Sequence, residues 1–167
     1  MHGSAPQHIL AIATSAVFAL ALLDAARTDW HSFRIPNRIP LLLLAAFPPV
    51  ALLEGFTLTQ WLTHAGVGLA LFALGALLFF LRAWGGGDAK LVPAVGLWVG
   101  AAGLPRFLLV MTLIGGLLAM LSLLLRAVPA GIVGGNSAWR GRLLASRQIP
   151  YGVAIAAAGL DWWVSAL

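Results

Sequence analysis

The chain has 167 residues, of which 61% are hydrophobic and only 9% charged, with a formal net charge of +5 and no cysteine. About a quarter of a typical soluble domain is charged, so ten basic and five acidic residues exclude an ordinary water-soluble globule. No stretch is polar and long enough for a large extramembrane domain, and without cysteine there is no disulfide framework, thiolate zinc site or thiol nucleophile.

A membrane span takes about 20 mostly apolar residues, and reading between the charges places about six of them. Met1 to Gln7 carries no Lys or Arg, so it lacks the basic start of a secretory signal, and the first apolar run is expected to stay as a span. That span runs from about His8 to Asp24. The second covers about Ile39 to Leu53, and the third about Trp61 to Leu81. The fourth, about Leu91 to Gly103, is short. The fifth covers about Pro105 to Leu125, and the sixth about Pro150 to Val164. Leu and Ala richness and the length of the apolar runs favour helix over strand. There is no internal repeat and no dividing linker. The expected fold is all-α, a polytopic membrane bundle of about six transmembrane helices forming a single integral-membrane domain over residues 1–167.

Basic residues collect in cytoplasmic loops. Arg27, Arg34 and Arg38 lie between spans one and two, Arg82 and Lys90 between three and four, and Arg126, Arg140, Arg142 and Arg147 between five and six; Arg106 alone falls on the other side. Both termini are therefore expected outside. The positive charge reads as topology, with membrane lipid as its partner and no nucleic acid. Trp30, Trp84 and Trp139 fall at the inner side and Trp61, Trp162 and Trp163 at the outer side, as interfacial belts do.

Acids are scarce and costly in such a chain. Glu54 and Asp161 read as solvated residues at outer span ends, and Asp24 as the helical ion-pair partner of Arg27. Asp29 and Asp88 have no such helical partner and share the cytoplasmic side. Asp29 stands in a loop before Ile35-Pro36-Asn37, where Pro36 and Asn37 supply a turn. Asp88 follows Gly85-Gly86-Gly87, which stop the third helix, open unusual backbone conformations and permit close approach. Taken singly, Asp88 reads equally as a helix N-cap and Asp29 as a solvated loop acid. Taken together, two carboxylates in one site cannot both ionise easily. One stays protonated and hydrogen-bonds a carbonyl while the other activates water, which is aspartic-protease chemistry without metal or cofactor.

Asp29 with Ile35-Pro36-Asn37, then Gly85-Gly86-Gly87-Asp88-Ala89-Lys90-Leu91, then Ile149-Pro150-Tyr151-Gly152-Val153-Ala154-Ile155-Ala156 together resemble the prepilin peptidases, membrane aspartic proteases with a GxGD signature. The short size resembles the branch serving tight-adherence (Flp-type) pili. The resemblance covers nearly the whole chain. It implies that Asp29 and Asp88 are the catalytic pair, and that the basic leader of prepilins or pseudopilins is cut at the cytoplasmic face of the bacterial inner membrane, beside the pilus assembly machinery. Long members of the family carry an N-terminal region with paired CxxC zinc motifs and also methylate the new N-terminus; neither is expected here. Asp24 does not match the motif aspartate.

Lys90 reads either as a substrate-binding or Asp88-tuning group or as an inner-face anchor, and Pro150, Tyr151 and Gly152 as a helix start or as support for the site. His2, His8, His31 and His64 show no metal-ligand spacing, and His31 reads as a loop residue. The longest loop, Arg126 to Gln148 with Gly131, Gly134 and Gly135, is a connection that could flank the site. The competing function is a small membrane transporter or proton pathway using the same acids, which would want them near the bilayer midplane. A presenilin-type protease would carry a Tyr-Asp motif that is missing here, and a purely structural pilus subunit would not need both aspartates.

Overall fold

Nothing between Asp24 and Ser32 is Gly or Pro, and the first helix uses that freedom. In the computed structural model, which describes residues 5–127 and 149–166, α1 spans Ala5–Ser32. The apolar run ends at Asp24, but the helix carries on past it. Asp29 and His31 are therefore helical and not in a loop, which corrects the sequence reading. Phe33 ends α1 in the left-handed region (φ 53°), donating its N–H to the Asp29 carbonyl at 2.8 Å.

The remaining elements among the described residues are α2 (Arg38–Leu53), α3 (Leu58–Phe80), α4 (Asp88–Ala127) and α5 (Tyr151–Ala166). Thr57 and Gln60 form a reciprocal capping box that starts α3. The loop expected from Arg126 to Gln148 lies outside the described residues from position 128 on, together with Trp139, Arg140, Arg142 and Arg147.

The 40-residue α4 is broken at Gly100 (φ 65°, ψ −177°), a conformation open to glycine. Tyr151 shares a cleft with Asp88, and its ring also lies against Gly115. On one straight helix those two partners would stand about 40 Å apart. The halves of α4 therefore double back on each other, and the turn falls at Gly100 where the sequence suggested Gly103 to Pro105. His64 secures the break: its Nδ1 lies 2.8 Å from the Leu97 carbonyl and bonds it, and its ring fills the space a Gly100 side chain would need.

The first half of α4 is the centre of the packing. α2, α3 and α5 all pack on α4, and α1 packs on α2 and α5. Phe18, Leu22, Val95 and Ile155 are fully buried where α1, α4 and α5 meet. The Trp98 ring lies 4.9 Å from that of Phe18, tilted by 34°, and donates its indole N–H to the Leu43 carbonyl at 2.9 Å, which ties α1, α2 and α4 together. Pro93 has no N–H, so the Ala89 carbonyl is freed from its helical bond; it faces Gly75 of α3 so closely that an added Cβ would stand 2.9 Å from it. Gly75→Ala is expected to cost about 1–3 kcal/mol by overpacking. Gly66→Ala, with open space around the new Cβ, should gain up to about 1 kcal/mol from helix propensity. Unfolding midpoints of the two variants in detergent should therefore move in opposite directions.

The surface is apolar. α3 and the stretch Asp88–Leu125 of α4 are long and apolar enough to cross a membrane. Only 11% and 17% of their most apolar windows are buried within the protein, whereas core helices of a soluble protein would be mostly buried. Leu41, Leu52, Leu69, Phe80 and Leu123 stand exposed. Among the described residues the protein is all-helical, with a surface suited to a membrane.

Two ion pairs correct the reading of the acids. Asp24 pairs with Arg38 across the α1–α2 turn at 3.1 Å, where Arg27 was expected. Asp161 receives both Arg106 Nε (2.8 Å) and Nη2 (3.0 Å) and is not simply solvated. The fork joins α5 to the start of α4's second half.

Candidate active site

Three helix ends converge on one polar cleft of about 1110 Å³. The end of α1 brings Asp29, the start of α4 brings Asp88, and the start of α5 brings Tyr151. The turn residues Ile35, Pro36 and Asn37 and the glycines Gly85, Gly86 and Gly87 are also in the lining.

Asp29 is only 5% exposed. Its Oδ2 accepts the Gly152 N–H at 2.7 Å, and the Val153 N–H also bonds it. Both N–H groups belong to the first turn of α5, a helix N-terminus where negative charge is favoured; the Val153 N–H also donates to the Pro150 carbonyl at 3.2 Å. A Cβ on Gly152 would stand 2.8 Å from both Asp29 Oδ2 and Ile35 Cδ1, so glycine is required there for close approach. Pro150 is fully buried just before the helix, a position that suits a residue with no N–H.

Asp88 is half-buried, and its carboxylate accepts a backbone hydrogen bond from Gly85. None of Gly85, Gly86 and Gly87 has a positive φ, so the triplet does not supply unusual backbone conformations. Its use is closeness. A Cβ on Gly87 would lie 3.0 Å from Ile35, one on Gly86 3.2 Å from Phe79, and one on Gly85 3.1 Å from Asp88 Oδ2. Lys90 lies outside the cleft lining and donates to Asn37 Oδ1 at 3.0 Å, joining the two motifs.

Both carboxylates lie beyond the apolar runs that end at Asp24 and begin at Leu91. Burial pushes Asp29 up from the ordinary 3.8 to about 6, against the pull of the Gly152 and Val153 N–H groups. Burial and then the charge of Asp29 push Asp88 up to about 7. Near neutral pH the pair shares one proton, and the helix N-terminus biases the ionised form toward Asp29. Such acids keep protons in the folded state that the unfolded chain has already released. Their contribution to stability is therefore complete below 3.8 and declines as pH rises to about 7. Asp88→Asn should accordingly match the unaltered protein in unfolding free energy at pH 4 and exceed it at pH 8, by on the order of 4 kcal/mol.

Several cleft residues escaped the sequence reading. Phe33 and Arg82 are the only non-glycine residues with positive φ among the described residues (53° and 58°), and both line this cleft, as does Arg34. Backbone strain of this kind gathers at functional sites, but no sequence signal marks it. Gly115, on which the Tyr151 ring rests, did leave a signal in the Gly115-Gly116 pair within an apolar run.

A family model described as the type IV leader peptidase family matches residues 16–120. Two prepilin leader peptidase/N-methyltransferases, from Burkholderia pseudomallei strains 1026b and K96243, are each 29% identical over 164 residues, covering 88% of this chain and 45% of their own length. The chain thus spans about half the length of the curated relatives it matches. No solved structure gives a significant match.

Proposed function

The chain belongs to the type IV leader peptidase family, and from this we propose that it is a membrane aspartic endopeptidase removing the short basic leader of type IV or Flp-type prepilins and pseudopilins. The observation that carries the reading is the shared cleft, with Asp29 held by the Gly152 N–H and Asp88 raised by burial and then by the charge of Asp29. Asp29, ionised, takes a proton from water as the water attacks the scissile carbonyl carbon. Asp88, protonated, hydrogen-bonds the carbonyl oxygen and stabilises the tetrahedral intermediate. When the C–N bond breaks, the departing amine takes up a proton from the pair, and the free carboxyl and amino termini leave. No metal or cofactor enters.

In this reading the chain is one membrane domain of six passes, the folded α4 supplying two. Both termini face outward, and the cleft opens to the cytoplasm in the bacterial inner membrane beside the pilus assembly machinery. The placement of both acids at helix ends in one cleft favours this over a transport pathway. Co-expression with a prepilin carrying a basic leader should give a leader-sized mass loss that persists in chelator and in serine and thiol reagents. An unchanged prepilin mass would overturn the reading, and a loss blocked by chelator and restored by zinc would overturn the metal-free mechanism.

A further inference from the structure

An apolar groove of about 610 Å³ lies beside the candidate active site. Its walls are Pro40, Leu41 and Leu44 of α2 and Gly68, Leu69 and Phe72 of α3, over a floor from the first half of α4. It exists because α2 and α3, though consecutive, each pack on α4 without extended packing on each other. Phe47, Phe56 and Trp61 join them near their connecting loop, and the gap opens toward Asn37. Asn37 lines both the groove and the polar cleft. Lys90, also in the groove lining, bonds its Oδ1, so this pair marks the border between the two.

We propose that the groove seats the first turns of the substrate's hydrophobic helix, directly C-terminal to the bond held between Asp29 and Asp88. The proposal rests on the peptidase reading. The dimensions fit: counted from Asn37 to Leu44 and from Ala65 to Phe72, each wall rises through about two helical turns, roughly 10 Å. Gly68 adds no bulk where the α3 wall meets the floor: a Cβ there would already touch Leu97 at 3.4 Å and the Pro93 carbonyl at 3.6 Å, so a larger side chain has to reach into the groove. The polarity fits as well. A substrate that passes from an extended segment at the aspartates into a helix must satisfy the first N–H groups of that helix. Asn37 Oδ1 sits at the border as an acceptor of the kind that caps a helix start. A lipid chain would match the apolar walls but needs neither the passage into the polar cleft nor the acceptor at its mouth.

The absence of cysteine makes the test clean. The probe is a single polypeptide with a short basic leader, a Leu- and Ala-rich helix of about 20 residues and a soluble tag. It carries one cysteine a turn or two beyond the cleavage point. In an Asp88→Asn background, Leu41→Cys, Leu69→Cys and Phe72→Cys should each cross-link to it through a short bismaleimide. The yield should be about tenfold above Leu74→Cys, which stands exposed on the opposite face of α3, and Leu109→Cys, exposed on the second half of α4. With both aspartates intact, Gly68→Leu should lower kcat/KM for the probe by about tenfold, chiefly through KM. Equal adducts at all five positions, or unaltered cleavage by Gly68→Leu, would assign the groove to lipid and overturn the proposal. Adducts confined to Leu41→Cys, Leu69→Cys and Phe72→Cys, with no cleavage by the unaltered protein, would leave the groove assignment standing and remove the hydrolytic one.

Discussion

Asp29→Asn and Asp88→Asn are each expected to lower prepilin cleavage by about 10²–10⁴-fold, the range a positioned acid or base contributes, with protein level and membrane insertion unchanged. The amide keeps the carboxylate's shape. At position 29 its oxygen can still accept the Gly152 N–H that the carboxylate takes at 2.7 Å, so the junction of α1 and α5 survives while the proton chemistry does not. At position 88 the amide cannot pass a proton to the departing amine. Asp24→Asn serves as the comparison. It breaks only a solvent-exposed pair with Arg38, of a kind that contributes about 0–1 kcal/mol, and should retain substantial activity. An inactive Asp24→Asn beside an active Asp29→Asn would reassign the first acid. Mass spectrometry of the prepilin after co-expression reads both.

Gly152→Ala should reduce cleavage by about 10²-fold, because a displacement of about 1 Å in a reacting group is enough for that. The new Cβ would stand 2.8 Å from Asp29 Oδ2 and from Ile35 Cδ1, and it meets a carboxylate that burial leaves little room to move. The loss should fall on kcat more than on KM. Gly159→Ala, deeper in the same helix, provides the contrast. Its Cβ would meet Leu22 at 2.6 Å and Val95 at 3.2 Å, an apolar contact that should lower the unfolding midpoint before it touches kcat. Equal kcat losses for the two variants would show that α5 contributes only general packing.

The parts of this fold that follow from composition were legible. Long charge-free runs announce helices, and the placement of Arg and Lys separates one end of the bundle from the other. The association of Asp29, Asp88 and the Ile35-Pro36-Asn37 turn was visible only through motif resemblance, since nothing in local sequence brings α1 to α4. What stayed hidden depends on tertiary neighbours. Arg38 captured Asp24 because the turn at Phe33 folds α2 back along α1, whereas i,i+3 spacing pointed to Arg27. The turn inside α4 fell at Gly100 because a positive φ there is supported by His64 from another helix; Pro105, where the fifth span was expected to begin, lies inside the second half. His64 itself looked idle, since a histidine that bonds a backbone carbonyl leaves no spacing pattern to read.

The hydrogen bond from Gly152 to Asp29 spans 123 positions of the chain, and this distance has a consequence during synthesis. The ribosome delivers Asp29 and Asp88 long before α5 emerges. Until α5 has entered the bilayer, no N–H groups hold Asp29, and the wall that Tyr151 contributes is missing. A chain released early would carry both aspartates and no finished site. Completion of the candidate site is thereby tied to the synthesis of α5, so a nascent copy that stops short of Tyr151 lacks both the donor that holds Asp29 and one wall of the cleft.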